Sequence, residues 1–315
     1  MKINTVLILF IASLLFFSCK KEEPVLPTFP PAKEEKMVWE LEYEFNNNGG
    51  SSYDQIGEKK AWIALETATT AKILHTSDGG ANWQIIDVGV PTISIEAVDF
   101  VNDKVGYISM HQKGTYRTED GGNSWKKISQ HQGGLFADGS EVTIFTSGGR
   151  SYNWSVASDT AIIGNDSLGS IAFPSTKQYI GNEIIYTFST GVIKSEDKGS
   201  TWGRVTVPFA HIVSLVAKDA SNWFIVPGPG EGMYGSNDAG ASWVGLYNDI
   251  SNANLPVFKD DTLFIARPEG ICWTLDQKTF TSEIDKFIQA HLIRIGDELY
   301  GFSRDGIYHR KKILE

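Results

Sequence analysis

Short apolar segments recur along the chain, each bounded by Gly, Pro, Asn or Asp. Residues 61–65, 223–226 and 263–266 are examples, and each is rich in aromatic or β-branched side chains. A continuous apolar run of this length between turn residues is typical of a buried strand. Several of these runs precede a glycine-led triplet such as G-T-Y at 114–116 or G-V-I at 191–193. The pattern predicts an all-β chain built from repeated units.

A second motif marks the same repeat and follows each of these triplets. Its four intact copies read T-S-D-G-G-A-N-W (76–83), T-E-D-G-G-N-S-W (118–125), S-E-D-K-G-S-T-W (195–202) and S-N-D-A-G-A-S-W (236–243). Their invariant side chains are Asp78, Trp83, Asp120, Trp125, Asp197, Trp202, Asp238 and Trp243. The aspartates are 42, 77 and 41 residues apart, and 77 is about two periods. One degenerate copy is therefore expected between Asp120 and Asp197.

Three weaker units complete the count at seven. The third is expected to use residues 155–157 and 160–162 as its second and third strands, with a degenerate motif at Asp166. The sixth has a motif one residue short at Asp276, and the seventh ends in G-I-Y at 306–308. Repeats of this length with several short strands indicate a β-propeller. The last unit lacks a fourth strand, so residues 38–45 are expected to complete its sheet and remove a free edge. The predicted fold is a single seven-bladed β-propeller over 37–315, its last blade closed by the N-terminal strand.

The intact motifs resemble the Asp-box, or BNR repeat, over residues 37–315. This repeat occurs in sialidases, sortilin-type receptors, some glucan hydrolases and photosystem II assembly and stability factors, within the WD40/YVTN/BNR-like superfamily of propellers. The resemblance implies that each motif joins the third and fourth strands of a blade at the outer rim, away from the ligand face. Short Ser, Thr and Asp side chains bond readily to amides of their own turn. We therefore expect the eight motif residues to be structural rather than catalytic or metal-binding.

The first 36 residues have a different composition. Lys2 and the apolar run 6–17 form a signal peptide over 1–18, too short to cross a bilayer as a helix. Cys19 follows directly and resembles the acylated cysteine of bacterial lipoproteins, although an ordinary signal peptide with an incidental Cys is the alternative. Residues 19–36 hold four prolines among charges and predict a semi-extended tether. The expected location is the outer membrane, on the cell surface or its periplasmic face.

The candidate binding face lies opposite the motifs, where links from second to third strands and between blades meet. Loops on a rigid scaffold commonly carry function. The candidates in these loops are His111, His131, His211, Arg267, Glu269, His291 and Arg304. No two of these histidines have the spacing typical of a metal site, so no metal or cofactor is expected. The net charge of −10 argues against nucleic acid as a partner.

These features favour a lipid-anchored, monomeric binding or scaffold module for a protein or glycan, attached to the membrane through its lipid only. A sialidase-like glycoside hydrolase is the alternative. It would need an arginine triad and an F-R-I-P motif; F-R-I-P is absent, and the seven arginines do not fall in the family register. A redox enzyme is a third possibility, but no haem or paired-cysteine motif is present.

Overall fold

Strands make up all the regular structure of the described residues. A computed structural model describes residues 35–314 apart from 46–49, 66–68, 92–93, 139–140, 149, 156–158, 166–167, 169–173, 229, 248–255, 268–269, 278, 285–290 and 304. Within those residues 28 strands form seven four-stranded antiparallel sheets. In the same part of the chain, no helix is long and apolar enough to cross a membrane. The predicted seven-bladed β-propeller is confirmed.

The first four blades follow one another along the chain, each running from its inner to its outer strand. Blade 1 contains β2 (Gly50–Ile56), β3 (Lys60–Leu65), β4 (Thr70–Thr76) and β5 (Gln84–Pro91). Blade 2 contains β6 (Ile95–Phe100), β7 (Gly106–Met110), β8 (Gly114–Thr118) and β9 (Lys126–Ser129). Blade 3 contains β10 (Gly134–Ala137), β11 (Glu141–Phe145), β12 (Ser151–Ser155) and β13 (Thr160–Asn165). Blade 4 contains β14 (Pro174–Ile180), β15 (Glu183–Phe188), β16 (Gly191–Ser195) and β17 (Gly203–Val205).

The last three blades have the same plan. Blade 5 contains β18 (Ile212–Ala217), β19 (Trp223–Pro227), β20 (Met233–Ser236) and β21 (Val244–Tyr247). Blade 6 contains β22 (Val257–Lys259), β23 (Thr262–Arg267), β24 (Gly270–Thr274) and β25 (Thr281–Ile284). Blade 7 contains β26 (His291–Ile295), β27 (Glu298–Phe302), β28 (Gly306–Leu314) and, outermost, β1 (Glu35–Glu44).

The ring closes through the two ends of the described chain. β1 pairs antiparallel with β28, from Glu35 opposite Leu314 to Glu44 opposite Gly306, with one register shift. This confirms that the N-terminal strand completes the seventh blade. It also leaves the third and fourth strands of blade 7 unconnected in sequence, so this blade has no motif turn.

The core consists of layers between neighbouring blades, because each sheet buries both of its faces. Between blades 1 and 2, Trp62 and Phe100 stack with ring centroids 4.2 Å apart. Both side chains are almost fully buried, and they belong to one cluster with Ile73, Ile95 and Ile108. Offset aromatic pairs of this kind stabilise a core beyond the area they bury.

The register predicted for blade 3 is wrong. Residues 160–162 belong to the outermost strand, β13, and not to the third strand. The third strand is β12, which ends at Ser155, where the sequence had predicted the start of the second strand. The degenerate motif at Asp166 therefore follows the whole blade instead of joining its last two strands; Asp166 itself lies outside the described residues. The true connection is the short link 156–159.

Strand order defines two faces of the ring. The links from first to second and from third to fourth strands lie on one face, which we call the motif face. Links from second to third strands, and from one blade to the next, lie on the opposite face, which we call the loop face. This assignment follows from the antiparallel pairing inside every blade.

Candidate binding face and axial cluster

The intact motifs form hydrogen-bonded turns between the third and fourth strands. In blade 2, Thr118 Oγ1 donates to Asp120 Oδ1 at 2.8 Å and accepts the Gly122 amide at 2.8 Å. Asp120 Oδ1 and Oδ2 also accept the Ser124 amide at 2.8 Å and hydroxyl at 2.6 Å. These bonds, chiefly the Ser124 hydroxyl and amide, lower the pKa of Asp120 to about 2. The carboxylate is therefore engaged inside its own turn.

Each turn also contacts the rest of its blade and the preceding blade. Gly121 donates its amide to Lys104 O at 2.9 Å, in the link between the first two strands of blade 2. In blade 4, a Cβ built at Gly199 would lie 2.0 Å from Phe136 Cε1 of blade 3. Trp202 packs edge-on against the same Phe136, with centroids 5.3 Å apart. The glycine and the tryptophan thus bring the rim of one blade against the core of the one before it.

The sixth blade keeps the turn in shortened form. Thr274 Oγ1 donates to Asp276 Oδ1 at 3.1 Å, and Asp276 Oδ1 accepts the Thr279 amide at 2.7 Å. No Trp follows in this motif. Phe280 stands in its place and packs on Tyr247 of blade 5, with ring centroids 4.7 Å apart. The sixth blade therefore keeps both the polar turn and an aromatic contact with the preceding blade.

The loop face carries a polar group on blade 2 that includes one predicted residue. His111 Nδ1 lies 2.8 Å from Glu96 Oε1, and Gln132 Nε2 donates to the same oxygen at 3.1 Å. Glu96 is the second residue of β6, and the other two residues are in loops. The His111 side chain is 47% exposed, so a partner can reach the group directly. We call Glu96, His111 and Gln132 the blade 2 polar group.

His131 and His211 also lie on the loop face, at separate places. His131 stacks on Tyr152 of blade 3 with centroids 3.5 Å apart, and partial burial lowers its pKa. His211 is exposed beside blade 5. A Cβ built at Gly228 would lie 3.6 Å from both His211 Cβ and Glu231 Oε1, so these two side chains flank one loop.

Arg267 is the last residue of β23 in blade 6, and His291 is the first residue of β26 in blade 7. Both therefore lie at the loop face. Both have a ring or guanidinium nitrogen that is shielded from solvent and has no partner among the described residues: Arg267 Nε and His291 Nδ1. His291 stacks on Phe302 at 5.1 Å, and desolvation lowers its pKa to about 4. It is therefore neutral at physiological pH. Glu269 and Arg304 lie outside the described residues.

The structure thus places the five described candidates on the predicted face but does not gather them. Only the His111 loop and the loop that holds His131 are joined, through Glu96. Among the described residues, no group of three His, Cys, Asp or Glu side chains could hold a metal ion.

Sequence reasoning missed a buried ionic group at the centre of the ring. Lys177 Nζ lies 2.7 Å from Asp99 Oδ1 and 3.6 Å from Asp54 Oδ1. The three side chains are between 2% and 9% exposed and sit on the innermost strands of blades 4, 2 and 1. Because blade 4 is opposite blade 1 in a seven-membered ring, the Lys177 side chain crosses the axis. We call Asp54, Asp99 and Lys177 the axial cluster.

The carboxylates of the axial cluster also cap free strand edges. Asp54 Oδ2 accepts the Phe100 amide of blade 2 at 2.7 Å, and Asp99 Oδ2 accepts the Ala137 amide of blade 3 at 2.8 Å. Innermost strands have an unpaired edge, and buried amides need acceptors. Burial raises the pKa of Asp99 to about 7, and the Lys177 ammonium opposes this rise. The neighbouring carboxylates hold the pKa of Lys177 well above its usual value despite burial. The ammonium therefore stays charged inside the ring.

Comparison with known proteins places the chain among propellers. No family model matches the sequence. A curated xyloglucanase from Hypocrea jecorina (strain QM6a) is 26% identical over 196 residues, which is 57% of this chain and 23% of that protein. The chain thus spans about a quarter of the length of that relative.

Two solved structures show the same architecture. YCF48 bound to D1 peptide has a TM-score of 0.66 and 15% identity, over 86% of this chain and 96% of that one. The GH74 xyloglucanase from Xanthomonas campestris has a TM-score of 0.58 and 13% identity, over 80% of this chain and 50% of that one. At these identities the two neighbours show the fold alone. They agree with the propeller fold that the seven sheets of this chain form.

Proposed function

We propose that this chain is a lipid-anchored cell-envelope propeller that binds a protein or glycan partner through its loop face and performs no catalysis. The observation that carries the proposal is the blade 2 polar group, which presents an acceptor and a half-exposed imidazole on that face. A propeller of similar structure has been solved with a peptide bound. The candidates His131, His211, Arg267, Glu269, His291 and Arg304 would form the remainder of the surface.

The carboxylates favour binding over glycoside hydrolysis. A glycosidase needs two carboxyl groups facing one bond across a cleft, roughly 5–10 Å apart. In the axial cluster, both carboxylates are buried and hold Lys177 and a strand amide. The described loop-face carboxylates include Glu96 of blade 2, Glu231 of blade 5, and Glu44 and Asp305 of blade 7. Asp305 already accepts the Ser303 and Tyr308 hydroxyls, one at each carboxylate oxygen.

Cross-linking in native membranes tests the binding face. The tagged full-length chain is compared with a Glu96→Gln/His111→Ala variant. The matched control is Glu298→Gln/His309→Ala, because His309 Nε2 and Glu298 Oε2 form a similar pair, 2.9 Å apart, away from the loop face. A cross-linked partner lost only in the loop-face variant supports the proposal. Loss only in the control variant would overturn the face assignment.

The lipid anchor at Cys19 is part of the proposal and has its own test. Residues 1–34 lie outside the described residues, so the support comes from the sequence alone: a signal-like run 1–18, then Cys19 and the proline-rich tether 19–36. Metabolic labelling with a radioactive fatty acid should mark the wild type and not Cys19→Ala. Protease treatment of intact cells then separates a surface location, where the domain is lost, from a periplasmic one.

A glycoside hydrolase remains the second candidate because of the 26% identity to a xyloglucanase. Incubation of the purified chain with xyloglucan, followed by measurement of new reducing ends, decides between the two. A release of reducing ends that is lost when the protein is heated, and that a mock purification does not show, would replace the binding proposal.

A further inference from the structure

The carboxylate of the blade 2 polar group uses only one of its two oxygens within the protein. His111 Nδ1 lies 2.8 Å from Glu96 Oε1, and Gln132 Nε2 donates to that same oxygen at 3.1 Å. Glu96 Oε2 accepts no hydrogen bond from any described residue. It is also not one of the polar atoms that are shielded from solvent without a partner. One oxygen of this loop-face carboxylate is therefore open to a ligand.

The His111 imidazole supplies a second acceptor to the same group. A neutral imidazole has one N–H, and the ring nitrogen that bonds to a carboxylate is the one that carries it. Since Nδ1 bonds to Glu96, the lone pair of Nε2 is available to a ligand. The exposed fractions are 47% for the His111 side chain and 19% for the Glu96 side chain. A ligand can therefore reach both acceptors from solvent.

Two acceptors on one bonded pair favour a ligand that donates hydrogen bonds. An anion would face the Glu96 carboxylate, and the nearest donors, on His111 Nδ1 and Gln132 Nε2, are already bonded to it. A cation with several N–H groups forms charge-assisted hydrogen bonds with a carboxylate, which are stronger than neutral ones. The guanidinium group carries five such donors in a rigid plane, so it can bond to two acceptors at once.

An aromatic pair stands next to this group in the chain. His131 directly precedes Gln132 and stacks on Tyr152 of blade 3, with ring centroids 3.5 Å apart. Both residues are half-buried, so part of each is in contact with solvent. Partial burial lowers the pKa of His131, which favours its neutral form. Guanidinium groups stack on aromatic faces more readily than ammonium groups do. The surroundings of Glu96 therefore suit arginine better than lysine.

Two exposed cations on adjoining loops oppose a basic ligand. Lys113 lies two residues after His111, and Arg150 directly precedes β12. Their side chains are solvated, and salt screens exposed charges over a distance of about 10 Å. A basic ligand would therefore be held by direct contact with Glu96 and not by the overall field of this face. It follows that an acidic residue in place of Lys113 should strengthen its binding.

We propose that the blade 2 polar group binds an arginine side chain of a protein partner, with the guanidinium held by Glu96 Oε2 and His111 Nε2. The inference rests on the proposed function of the loop face and narrows it. The partner is a polypeptide that presents an arginine, and not a neutral glycan.

Selection of a random heptapeptide library, displayed on phage, against the full-length chain in detergent tests the proposal. The selection is run at pH 8, where histidine side chains are ordinarily neutral. We expect the enriched peptides to share an arginine. Glu96→Gln should weaken their binding by about tenfold or more, because a charge-assisted bond is lost. Lys113→Glu should strengthen it by about threefold, the size of an exposed charge effect. Glu231→Gln, an exposed loop-face carboxylate of blade 5, is the matched control and should bind like the wild type.

Unfolding midpoints of all variants are measured first, so that loss of binding is not confused with loss of fold. The absence of any enriched peptide overturns the proposal, and so does a set of enriched peptides without a shared arginine. Binding that Glu96→Gln leaves unchanged, or that Lys113→Glu weakens, also overturns it. The cross-linking experiment in native membranes remains independent of this result. A partner lost in Glu96→Gln/His111→Ala, together with peptides that lack arginine, would keep the binding face and reject arginine as the group it recognises.

Discussion

Blade 2 forms one interface with blade 1 and one with blade 3. The two interfaces are alike near the axis of the ring and differ at its rim. At the axis, Asp54 accepts the Phe100 amide between blades 1 and 2, and Asp99 accepts the Ala137 amide between blades 2 and 3. In the middle layer, Trp62 and Phe100 stack between blades 1 and 2, with ring centroids 4.2 Å apart. Between blades 2 and 3, Tyr107 packs edge-on against Trp154, with centroids 6.3 Å apart. At the rim, the first interface is filled by Trp125, whereas the second opens into a cavity lined by Arg117, Lys126 and Trp154.

This difference separates what the ring requires from what it tolerates. Inner strands need their edges capped at every interface, because an unpaired buried amide is costly. The motif Trp is missing from three blades of the seven, yet the ring closes. At two of these interfaces another aromatic side chain is present: Phe280 packs on Tyr247 between blades 5 and 6, and Trp39 joins the core cluster between blades 6 and 7. The ring therefore tolerates different side chains at the rim.

Removing the cation of the axial cluster should break both interfaces at once. In Lys177→Met, two buried carboxylates would face each other without their partner, so we expect a loss of about 3 to 5 kcal/mol in the free energy of unfolding. Lys113→Met is the control, because Lys113 is exposed on the loop face. Urea unfolding followed by fluorescence measures both. A loss below about 0.5 kcal/mol, the size of an ordinary surface effect, would contradict a central role for the cluster.

A closed rim should break when its glycine gains a side chain. Gly199 has φ +92°, and its Cβ would lie 2.0 Å from Phe136. Gly199→Ala is therefore expected to cost about 3 kcal/mol through backbone strain and displacement of a core ring. Gly203→Ala lies four residues later, where a Cβ meets nothing within 4 Å. Thermal unfolding should show a large shift for the first variant and almost none for the second; equal shifts would contradict the packing described.

The motif hydroxyl should matter where it has partners. Thr118→Val keeps the shape of the side chain but leaves the buried Gly122 amide without an acceptor, so we expect a loss of about 1 to 3 kcal/mol. Thr187 is equally buried, and its hydroxyl has no partner among the described residues. Thr187→Val should be neutral or stabilising. The contrast between the two substitutions, measured by urea unfolding, isolates the hydrogen bond from the methyl group.

The sequence was sufficient for most of the fold and failed where the motif decays. The seven units and the closing strand were predicted from the spacing of the motifs along the chain. The hydrogen bonds of the motif turn require particular residues at fixed positions, so the repeat is visible in the sequence. In blade 3 the motif is lost, and β12 alternates polar and apolar residues instead of forming an apolar run. The residues around Asp166 therefore resembled a degenerate motif, and the predicted blade was displaced by one strand.

The site was harder to predict than the fold. Topology was sufficient to place the candidate histidines on the loop face. Glu96, which joins the loops of His111 and His131, looked like an ordinary strand residue. Asp54, Asp99 and Lys177 are far apart in sequence and meet only because the ring closes. The one available signal was an aspartate within the last three residues of two successive inner strands, Asp54 and Asp99.

Titration should distinguish the rim from the axis, because their carboxylates shift in opposite directions. Hydrogen bonds lower the pKa of Asp120 and Asp238 to about 2, so their stabilisation is present above about pH 4 and is lost as the pH falls towards 2. Burial raises the pKa of Asp99 to about 7, so the folded state binds this proton more tightly than the unfolded state. Stability should therefore fall as the pH rises from about 4 to 7.

Urea unfolding midpoints measured from about pH 2 to 7 test both effects. The fall in stability below about pH 4, the acid limb, should be lost in Asp120→Asn/Asp238→Asn. The fall between about pH 4 and 7, the neutral limb, should be lost in Asp99→Asn. If one variant flattened both limbs, rim and axis would be a single coupled system and not the two independent contacts that the unlike interfaces of blade 2 indicate.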